Sequence, residues 1–336
     1  MLLVSAALKY FAGQFKRIKY LLIHLVILLL VCSIGSCVKW SQLKLIYPVK
    51  TVSIPVQQSR SLIAFQRINI EGKINVSLHT GYRQPKIILI GDPRDLKQIK
   101  IKVSNGMLSV YLDSAYPRHG SILAKIYTQK LNTFTFNGIG KITGNNLRSG
   151  TLDLAINNPQ TTTLGGTLFL GALIAAGGGT IKIANVHTPN LTLLVKDSTK
   201  VKLIGVIGIA KINVYANSLV SLYWVKTKKL KIRGQGNAQV ALAGTVNHLD
   251  VELWDNAHFN GRYLRTKCAF VKTHDQAIAD LNALNRQHTL ATNVSNIYFY
   301  NLPSLRTDFM ANDGSVLDLR DLSDPEVAEY TIYNNS

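Results

Sequence analysis

Few acidic and histidine side chains in this 336-residue sequence are spaced so that they could do acid–base chemistry. Asp255 and Asp275 stand 20 residues apart, with His258 and His274 close to them in the chain. Two carboxylates at short range raise the pKa of one of them, which can then act as a general acid. Asp is also common at tight corners, because its side chain bonds to nearby backbone and it tolerates left-handed backbone. Since Asn or Ser takes the place of Asp in other repeats of the chain, we interpret both residues as corner formers and predict no catalytic residues.

Other arrangements typical of enzymes or metal sites are missing from the sequence. His187, His248 and His288 lack metal-ligand spacing, and there is no Gly-x-Ser-x-Gly elbow, phosphate-binding loop or Cys-x-x-Cys motif. The Gly-Gly-x-Gly-x-Asp pattern of calcium-binding solenoids is also missing. The sequence therefore predicts a non-enzymatic protein with neither a metal nor a cofactor.

Positive charge is the most informative chemical feature of the sequence. The chain has 38 Lys and Arg against 18 Asp and Glu, a formal net charge of +20, and its 47% of hydrophobic residues can support a core. The densest basic run consists of Lys226, Lys228, Lys229, Lys231 and Arg233. Tyr223 and Trp224 border this run, and Arg262, Arg265 and Lys267 follow one to two repeats later, where they can extend the same face. Such a face attracts anions such as lipid headgroups, lipopolysaccharide phosphates or acidic glycans; the alternative is a solvated face that keeps sheet edges apart.

The first 36 residues have the features of an export signal. Four basic residues and no acidic residue precede an apolar run from Leu21 to Ile34. This run is shorter than the roughly 20 apolar residues that span a bilayer, and it suits the apolar region of a signal peptide. An uncleaved membrane anchor is the alternative interpretation.

Residues Ile34-Gly35-Ser36-Cys37 resemble the bacterial lipobox, which is an aliphatic residue, two small residues and a cysteine. The resemblance implies that Cys37 receives diacylglycerol and a palmitate-type acyl chain, and that the chain is cleaved before it. Val38 and Lys39 do not match the aspartate-type signal for inner-membrane retention, so the resemblance favours the outer membrane. Cys268 is then the one other cysteine of the mature chain, which excludes an internal disulfide, and its apolar strand position predicts a buried thiol.

An internal repeat supplies the elements that position these residues. An apolar or β-branched residue recurs every 18 to 20 positions, at Ile142, Thr162, Ile181, Val201, Val220, Val240, Phe259, Ile278, Tyr298 and Val316. A second column with the same spacing contains Leu193, Ile212, Ile232 and Val251. Small or polar corners separate the two columns, at Asp197-Ser198, Ala216-Asn217, Gly236-Asn237, Asp255-Asn256, Asp275-Gln276, Ser295-Asn296 and Asp313-Gly314.

A period of 19–20 residues with alternating apolar positions is typical of a parallel β-helix, or β-solenoid, in which each coil pairs with the next. The Leu-x-x-Leu-x-Leu spacing of a leucine-rich repeat does not recur. The alternation weakens between Lys272 and Leu281, where Lys272 falls on the inward column and Ala279 favours the opposite phase from Ile278. A one-residue slip or bulge would explain this, and a buried Lys272–Asp280 pair is the other interpretation.

The chain is therefore predicted to be all-β, with an N-terminal signal helix and five parts. These are a lipoprotein signal peptide (1–36), a tether (37–60), a β-rich N-terminal cap (61–130), a β-solenoid of about ten coils (131–320) and a C-terminal tail (321–336). In the cap, a hairpin is predicted at Ser104-Asn105-Gly106. The cap would cover the open edge of the first coil, which could otherwise recruit foreign strands.

The cap also carries a family resemblance. Phe-x-x-Ile-x-Ile-x-Gly from Phe65, then Gly91-Asp92, Leu96 and Val103-x-x-Gly106-x-Leu108, resembles the opening of the putative auto-transporter adhesin head GIN domain family. The glycine-rich segments 138–142 and 233–240 are similar to the corners of that family. The resemblance covers residues 62–320 and implies a β-helical body and an adhesive function, with no catalytic residue to carry over. The chain departs from the usual domain in having more coils and several Asn or Asp corners.

Residues and resemblance together predict a non-enzymatic envelope lipoprotein whose solenoid head serves adhesion or binding. The predicted partners are the membrane, through the lipid, and an anionic envelope or host-surface component such as an acidic glycan or lipopolysaccharide. Nucleic acid is not an expected partner of an exported lipoprotein. Two alternatives remain: a scaffold that assembles through solenoid ends or faces, and a polysaccharide-cleaving enzyme that uses Asp255 and Asp275.

Overall fold

The computed structural model describes residues 54–320, which form an almost entirely β structure. The predicted signal peptide, Cys37, most of the tether and the tail 321–336 lie outside the described residues. Within residues 54–320, no helix has the length and apolar character needed to cross a membrane.

The first part of this structure consists of short strands and one helical turn. The strands are β1 (Val56–Ser61), β2 (Arg67–Gly72), β3 (Asn75–Thr80), β4 (Lys86–Gly91), β5 (Lys100–Ser104), β6 (Met107–Tyr111), β7 (Leu123–Thr128) and β8 (Thr133–Gly138), and the helical turn is α1 (Pro93–Leu96). Strand β1 pairs antiparallel with β4, so residues 56–60, which the sequence assigned to the tether, belong to the folded body. The predicted hairpin joins β5 and β6 through Asn105 and Gly106, and both have positive φ.

Long strands that each form most of one coil make up the main body. They are β9 (Ile142–Asn157), β10 (Thr161–Ala176), β11 (Thr180–Val195), β12 (Lys200–Val214), β13 (Leu219–Gly234), β14 (Gln239–Leu253), β15 (His258–Thr273) and β16 (Ile278–Thr292). The final, shorter strands are β17 (Asn296–Phe299), β18 (Arg306–Asn312) and β19 (Ser315–Asp318). Each long strand pairs in parallel with the next, which confirms the predicted β-solenoid, with about nine turns rather than ten.

Strands of the cap continue the same stacking. Strand β2 pairs in parallel with β8, and β3 pairs in parallel with β9, so the first coils are built from short strands. The cap and the repeats therefore form one continuous sheet, rather than a lid placed on a separate solenoid.

The apolar columns predicted from the period form the core. Val201, Val220 and Phe259 stand in one register line and are fully buried, and Leu193 and Ile212 are equally buried in the second column. Burial of a side chain of this size contributes about 1.5–3 kcal/mol, which no isolated coil could obtain because its neighbours provide the contacts.

The predicted phase slip occurs near the C-terminal end. Ala279, not Ile278, lies opposite Phe259, and Ile297, not Tyr298, continues the buried column. Strand β15 has one residue more than β14 between Asn260 and Tyr263, so the anchor predicted at 278 is one residue too early. The register shifts between β15 and β16 then leave the anchor predicted at 298 one residue too late. Lys272 points outward, with its Nζ 5.6 Å from the centre of the Phe270 ring, and the alternative Lys272–Asp280 pair does not form.

The corner after each coil adopts the left-handed backbone expected from its sequence. Asp197, Ala216, Gly236, Asp255 and Asp275 all have φ between 57° and 76°. The corner predicted at Ser295-Asn296 is wrong, since the left-handed residue is Asn293. The Oγ of Ser295 is buried within hydrogen-bond distance of the carbonyls of Thr273 (3.0 Å) and Thr292 (2.7 Å), so this residue closes the turn from inside.

A second bend, which the sequence did not reveal, divides each coil in its middle. Positive φ recurs there at Asn146, Gly166, Asn185, Gly205, Trp224 and Gly244 in six successive coils. The three glycines allow close stacking: a Cβ on Gly166, Gly205 or Gly244 would lie 2.0 Å from a carbonyl oxygen of the preceding coil. Asn, and in one coil Trp, occupies the intervening coils. The second bend therefore alternates a tightly packed glycine with a residue whose side chain faces solvent.

Candidate functional site

The predicted basic run of β13 follows the second bend at Trp224 and falls into two groups. Lys226, Lys228 and Lys229 are exposed on the middle segment of the coil. Lys231 and Arg233 lie on the next segment, where they form ion pairs with Asp250 (3.2 Å) and Glu252 (2.9 Å) of β14. Only the first group presents positive charge without an acidic partner.

Later coils extend the positive charge of the middle segment. Lys226 is in register with Thr245 and then with Arg265, so the two cations lie about 10 Å apart, two strand spacings along the solenoid axis. Arg265 and Lys267 are exposed, whereas Arg262 is held by Asp280 at 3.1 Å and does not join them. Within residues 54–320, no ion pair links a carboxylate to this set, which we call the basic face: Lys226, Lys228, Lys229, Arg265 and Lys267.

Exposed aromatic rings border the basic face. Trp224 and Tyr263 occupy equivalent positions two coils apart, with Ala243 between them, and their residues are 66% and 77% exposed. Trp224 has φ of 63°, a backbone conformation that costs a residue with a Cβ roughly 1–2 kcal/mol. Because the indole is mostly in solvent, its burial offsets this cost only in part. Strain of this kind at an exposed aromatic residue points to a role in ligand contact.

A shallow groove of about 420 Å³ lies beside the basic face. Lys229, His248, Cys268 and Arg286 line it in one register line across four coils. The predicted burial of Cys268 is wrong, because this residue is in register with the exposed Lys229 and His248 and is itself partly exposed in the groove.

The two aspartates with possible acid–base chemistry are bound to corner backbone instead. The Oδ2 of Asp255 accepts from the N–H of Gly236 at 3.0 Å, and the Oδ2 of Asp275 accepts from the N–H of Asp255 at 3.2 Å. The Nδ2 of Asn293 donates to the other oxygen of Asp275 at 3.0 Å. These contacts agree with the interpretation of both residues as corner formers.

The two nearby histidines also have structural contacts. His274 stacks on Trp254 with 5.6 Å between ring centres, and its Nδ1 lies 2.9 Å from the Oγ1 of Thr292. The Nε2 of His258 lies 3.0 Å from the Oδ2 of Asp280. The four candidate acid–base residues therefore do not converge on one cavity.

Asp280 is a buried carboxylate whose residue is 2% exposed. Its burial raises the pKa of the carboxyl group, but the hydrogen bond from His258 and the charge and hydrogen bond of Arg262 outweigh burial and lower that pKa overall. The cluster joins β15 to β16 and holds Arg262 away from the basic face.

A larger cleft of about 840 Å³ lies at the N-terminal end of the solenoid, where the sequence indicated nothing. His79, Tyr82, Arg148, Asn185 and His187 are among its lining residues. They are spread over more than 100 positions and come from both the cap and the repeats, so no local motif marks them. We call this the N-terminal cleft.

Residues 54–320 contain no group of three or more His, Cys, Asp or Glu side chains that could hold a metal ion.

Several solved structures are similar to this chain. A putative adhesin from Parabacteroides merdae is 16% identical, with a TM-score of 0.42, and the match covers 79% of this chain and 95% of that one. A putative adhesin from Parabacteroides distasonis is 13% identical, with a TM-score of 0.42 and coverage of 79% and 97%. A putative lipid binding protein from the same organism is 12% identical, with a TM-score of 0.39 and coverage of 79% and 96%. No curated protein matches the sequence.

The family model described as "putative auto-transporter adhesin, head GIN domain" matches residues 64–240. This match begins at the cap, includes the second bends from Asn146 to Trp224, and ends beyond the basic run of β13. It spans more than half of the sequence, and the chain belongs to the putative auto-transporter adhesin head GIN domain family.

Proposed function

We propose that this chain is a non-enzymatic envelope lipoprotein whose solenoid head binds an anionic surface component through the basic face. One observation carries the proposal: five exposed cations lie together without acidic partners, while the cations on the adjacent segment of β13 are neutralised. The anionic groups that fit are the sulfates or carboxylates of an acidic glycan, or the phosphates of lipopolysaccharide.

Binding of this kind depends on several contacts at once. A single exposed ion pair contributes only about 0–1 kcal/mol and is weakened by salt. A polymer with many charges that lies along the solenoid axis can contact the cations of successive coils together, which raises its affinity without a deep pocket. Trp224 and Tyr263 add flat, solvent-facing rings on which the face of a sugar can stack.

A lipid on Cys37 would place the head at a membrane surface, and we propose the outer membrane. Membership in a family described as adhesins supports a surface location. Metabolic labelling with a fatty acid analogue, compared between the native chain and Cys37→Ser, tests the anchor; label retained by the serine variant would contradict it.

The binding test removes three cations from the basic face in the variant Lys226→Gln/Lys228→Gln/Arg265→Gln. We expect at least about a tenfold loss of affinity for a sulfated glycosaminoglycan or for lipopolysaccharide, and a weaker effect of salt on what remains. Surface plasmon resonance at low and at physiological ionic strength measures both quantities. The two ligands distinguish a glycan from a lipid phosphate as the source of the anion.

The matched control removes the same net charge elsewhere, in Lys182→Gln/Lys196→Gln/Lys200→Gln. These lysines are exposed on β11, on β12 and at the corner between them, and none contacts the basic face or its aromatic border. An equal loss of affinity in both triple variants would show that only net charge matters, and the proposal would then be wrong.

A further inference from the structure

We infer that the N-terminal cleft is a second ligand site, and that it binds an acidic saccharide residue. The inference goes beyond the proposed function, because the cleft is lined by residues of the cap and of β9 to β11 and shares none with the basic face on β13 to β15.

Residues of the second bend form part of the cleft wall. Gly166 lies on its wall with φ of 133°, and a Cβ there would lie 2.0 Å from the carbonyl oxygen of Leu147. No side chain can fit at that position, so the coil of Gly166 leaves a gap between the two neighbouring coils. Asn146 and Asn185 lie at the same bend in those coils, with left-handed backbone, and line the cleft on either side. The cavity of about 840 Å³ has the size of a site for a small oligosaccharide.

One wall is an aromatic ring held in place before any ligand arrives. The backbone N–H of Tyr82 donates to the carbonyl of Thr128, and its ring meets the Tyr127 ring edge-on with 4.9 Å between centres. Tyr127 in turn stacks on His79 at 4.5 Å with an angle of 9° between the ring planes. Tyr82 nonetheless remains 45% exposed. A fixed, exposed ring of this kind suits the apolar face of a sugar, because the ring loses little conformational entropy when the sugar binds.

The other walls present amide groups that are not used within the protein. In the described chain, the side chains of Asn145, Asn146 and Asn185 make no hydrogen bond, although all three line the cleft. An amide offers one acceptor and two donors, a combination that matches neighbouring sugar hydroxyls.

Charge in the cleft selects an acidic sugar over a neutral one. Arg148 is exposed on the rim, forms no ion pair within residues 54–320, and has its backbone N–H fixed by the Oγ1 of Thr80 at 2.7 Å. No acidic residue lines the cleft. A guanidinium group forms two parallel hydrogen bonds with a carboxylate, so the acid group of a uronic acid residue can be placed here.

His79 does not change this assignment at neutral pH. Burial and the charge of Lys125 lower the pKa of its imidazole, and its Nε2 is already 3.0 Å from the Oγ of Ser77. The neutral ring therefore supports the aromatic wall and leaves Arg148 as the principal charge that an acidic ligand meets.

The test uses the full chain and isothermal titration calorimetry with two probes, tetragalacturonic acid and the neutral tetrasaccharide of galactose. We expect the acidic probe to bind the native chain more tightly than the neutral one, and with a Kd below about 1 mM. Arg148→Ala should weaken the acidic probe at least about tenfold and leave the neutral probe unchanged. Tyr82→Ala should weaken both, and Tyr82→Phe, which keeps the ring, should restore most of the affinity.

Arg83→Ala is the matched control, because Arg83 is an exposed neighbour of Tyr82 that does not line the cleft. Equal effects of Arg148→Ala and Arg83→Ala, equal binding of the two probes, or binding of neither would overturn the inference. The variant Lys226→Gln/Lys228→Gln/Arg265→Gln should keep its affinity for tetragalacturonic acid. Failure of the proposed function alone would then appear as intact cleft binding with no effect of the basic face.

Discussion

Trp224 takes a position that asparagine holds two and four coils earlier in the stack. The residues 146, 185, 224 and 263 are each 39 positions apart, which is two periods of the repeat, and all four are exposed. At 146 and 185 the left-handed backbone carries Asn, which tolerates it; at 224 it carries Trp, which does not. Replacement of Trp224 therefore tests its contribution to stability and its contribution to binding separately.

We expect Trp224→Asn to weaken glycan binding while changing the free energy of unfolding by no more than about 1 kcal/mol. Relief of backbone strain, roughly 1–2 kcal/mol, offsets the packing lost by the buried third of the indole. Urea denaturation and surface plasmon resonance on the same preparation measure both effects.

Trp254→Asn provides the contrast, because Trp254 stacks on His274 away from the basic face. That variant should lose stability and keep its affinity for glycan. If Trp224→Asn lost stability to the same extent as Trp254→Asn with unchanged binding, the ring at 224 would be part of the packing and not of a binding surface.

Asp280 carries a pH dependence of stability. Its pKa in the folded chain lies below the unfolded value of about 3.9, so the unfolded chain binds more protons as the pH falls through this range. The stabilisation is fully present above the unfolded pKa and is lost as the pH falls through the folded pKa. We expect the free energy of unfolding to decrease below about pH 4, and to do so less steeply in Asp280→Asn.

Urea denaturation at several pH values between 2 and 6 measures this slope, where roughly pH 4 marks the expected onset. Some slope should remain in the variant, because hydrogen bonds from His119 to Asp95 and from Arg320 to Asp318 outweigh desolvation and also lower the pKa of those carboxyls. Asp250→Asn, at an exposed ion pair, is the control; a slope unchanged by Asp280→Asn would assign the acid sensitivity to other groups.

At the scale of the coil, the corners are tied to one another by side chains. The Nδ2 of Asn237 donates to the Oδ1 of Asn217 at 2.7 Å, and the Nδ2 of Asn256 donates to the Oδ1 of Asn237 at 3.1 Å. Three successive coils thus share a ladder of amides parallel to the axis. Asn at these corners therefore links neighbouring coils through its side chain, in addition to accommodating the turn.

Removal of the middle rung in Asn237→Ala breaks both hydrogen bonds. We expect the free energy of unfolding to fall by about 1–2 kcal/mol, since a net hydrogen bond contributes about 1 kcal/mol. Urea denaturation measures the loss. Gln235→Ala, at an exposed position in the same turn, should cost much less, and equal losses would mean that the ladder contributes nothing.

The coil is also the scale at which the sequence was most informative. A period of 19–20 residues predicted the buried line through Val201, Val220 and Phe259, because repeated burial leaves an apolar residue at each pass. Counting could not locate the extra residue between Asn260 and Tyr263, because a bulge adds a residue without leaving a composition of its own. The anchor at 278 was displaced for that reason.

The candidate site was predictable only in part. Asp250 and Glu252 follow Lys231 and Arg233 by 19 residues, so the period itself could have indicated that these two cations are neutralised. The N-terminal cleft could not be found in this way, because Tyr82 lies between β3 and β4 of the cap, outside the regular period, and Arg148 lies on the first long strand.

At the scale of the whole described body, the two binding surfaces share one side of the solenoid. The line of outward residues that begins with Asn146 and Asn185 in the cleft continues to Trp224 and Tyr263 at the basic face. Six coil spacings separate Asn146 from Tyr263, a distance of about 29 Å. A single extended acidic polysaccharide could reach both surfaces, and contact at two places would raise its apparent affinity well above either contact alone.

The alternation at the second bend gives the molecule a series of exposed positions whose side chains can be exchanged without a change in the core. Each glycine packs closely against the preceding coil. The residue at the same bend in the intervening coil makes no such contact, and its side chain faces water. Exchanging one such side chain alters what the surface offers to a ligand while the buried columns stay as they are. A lineage could in this way acquire a new binding preference by single substitutions at every second coil, with no redesign of the interior.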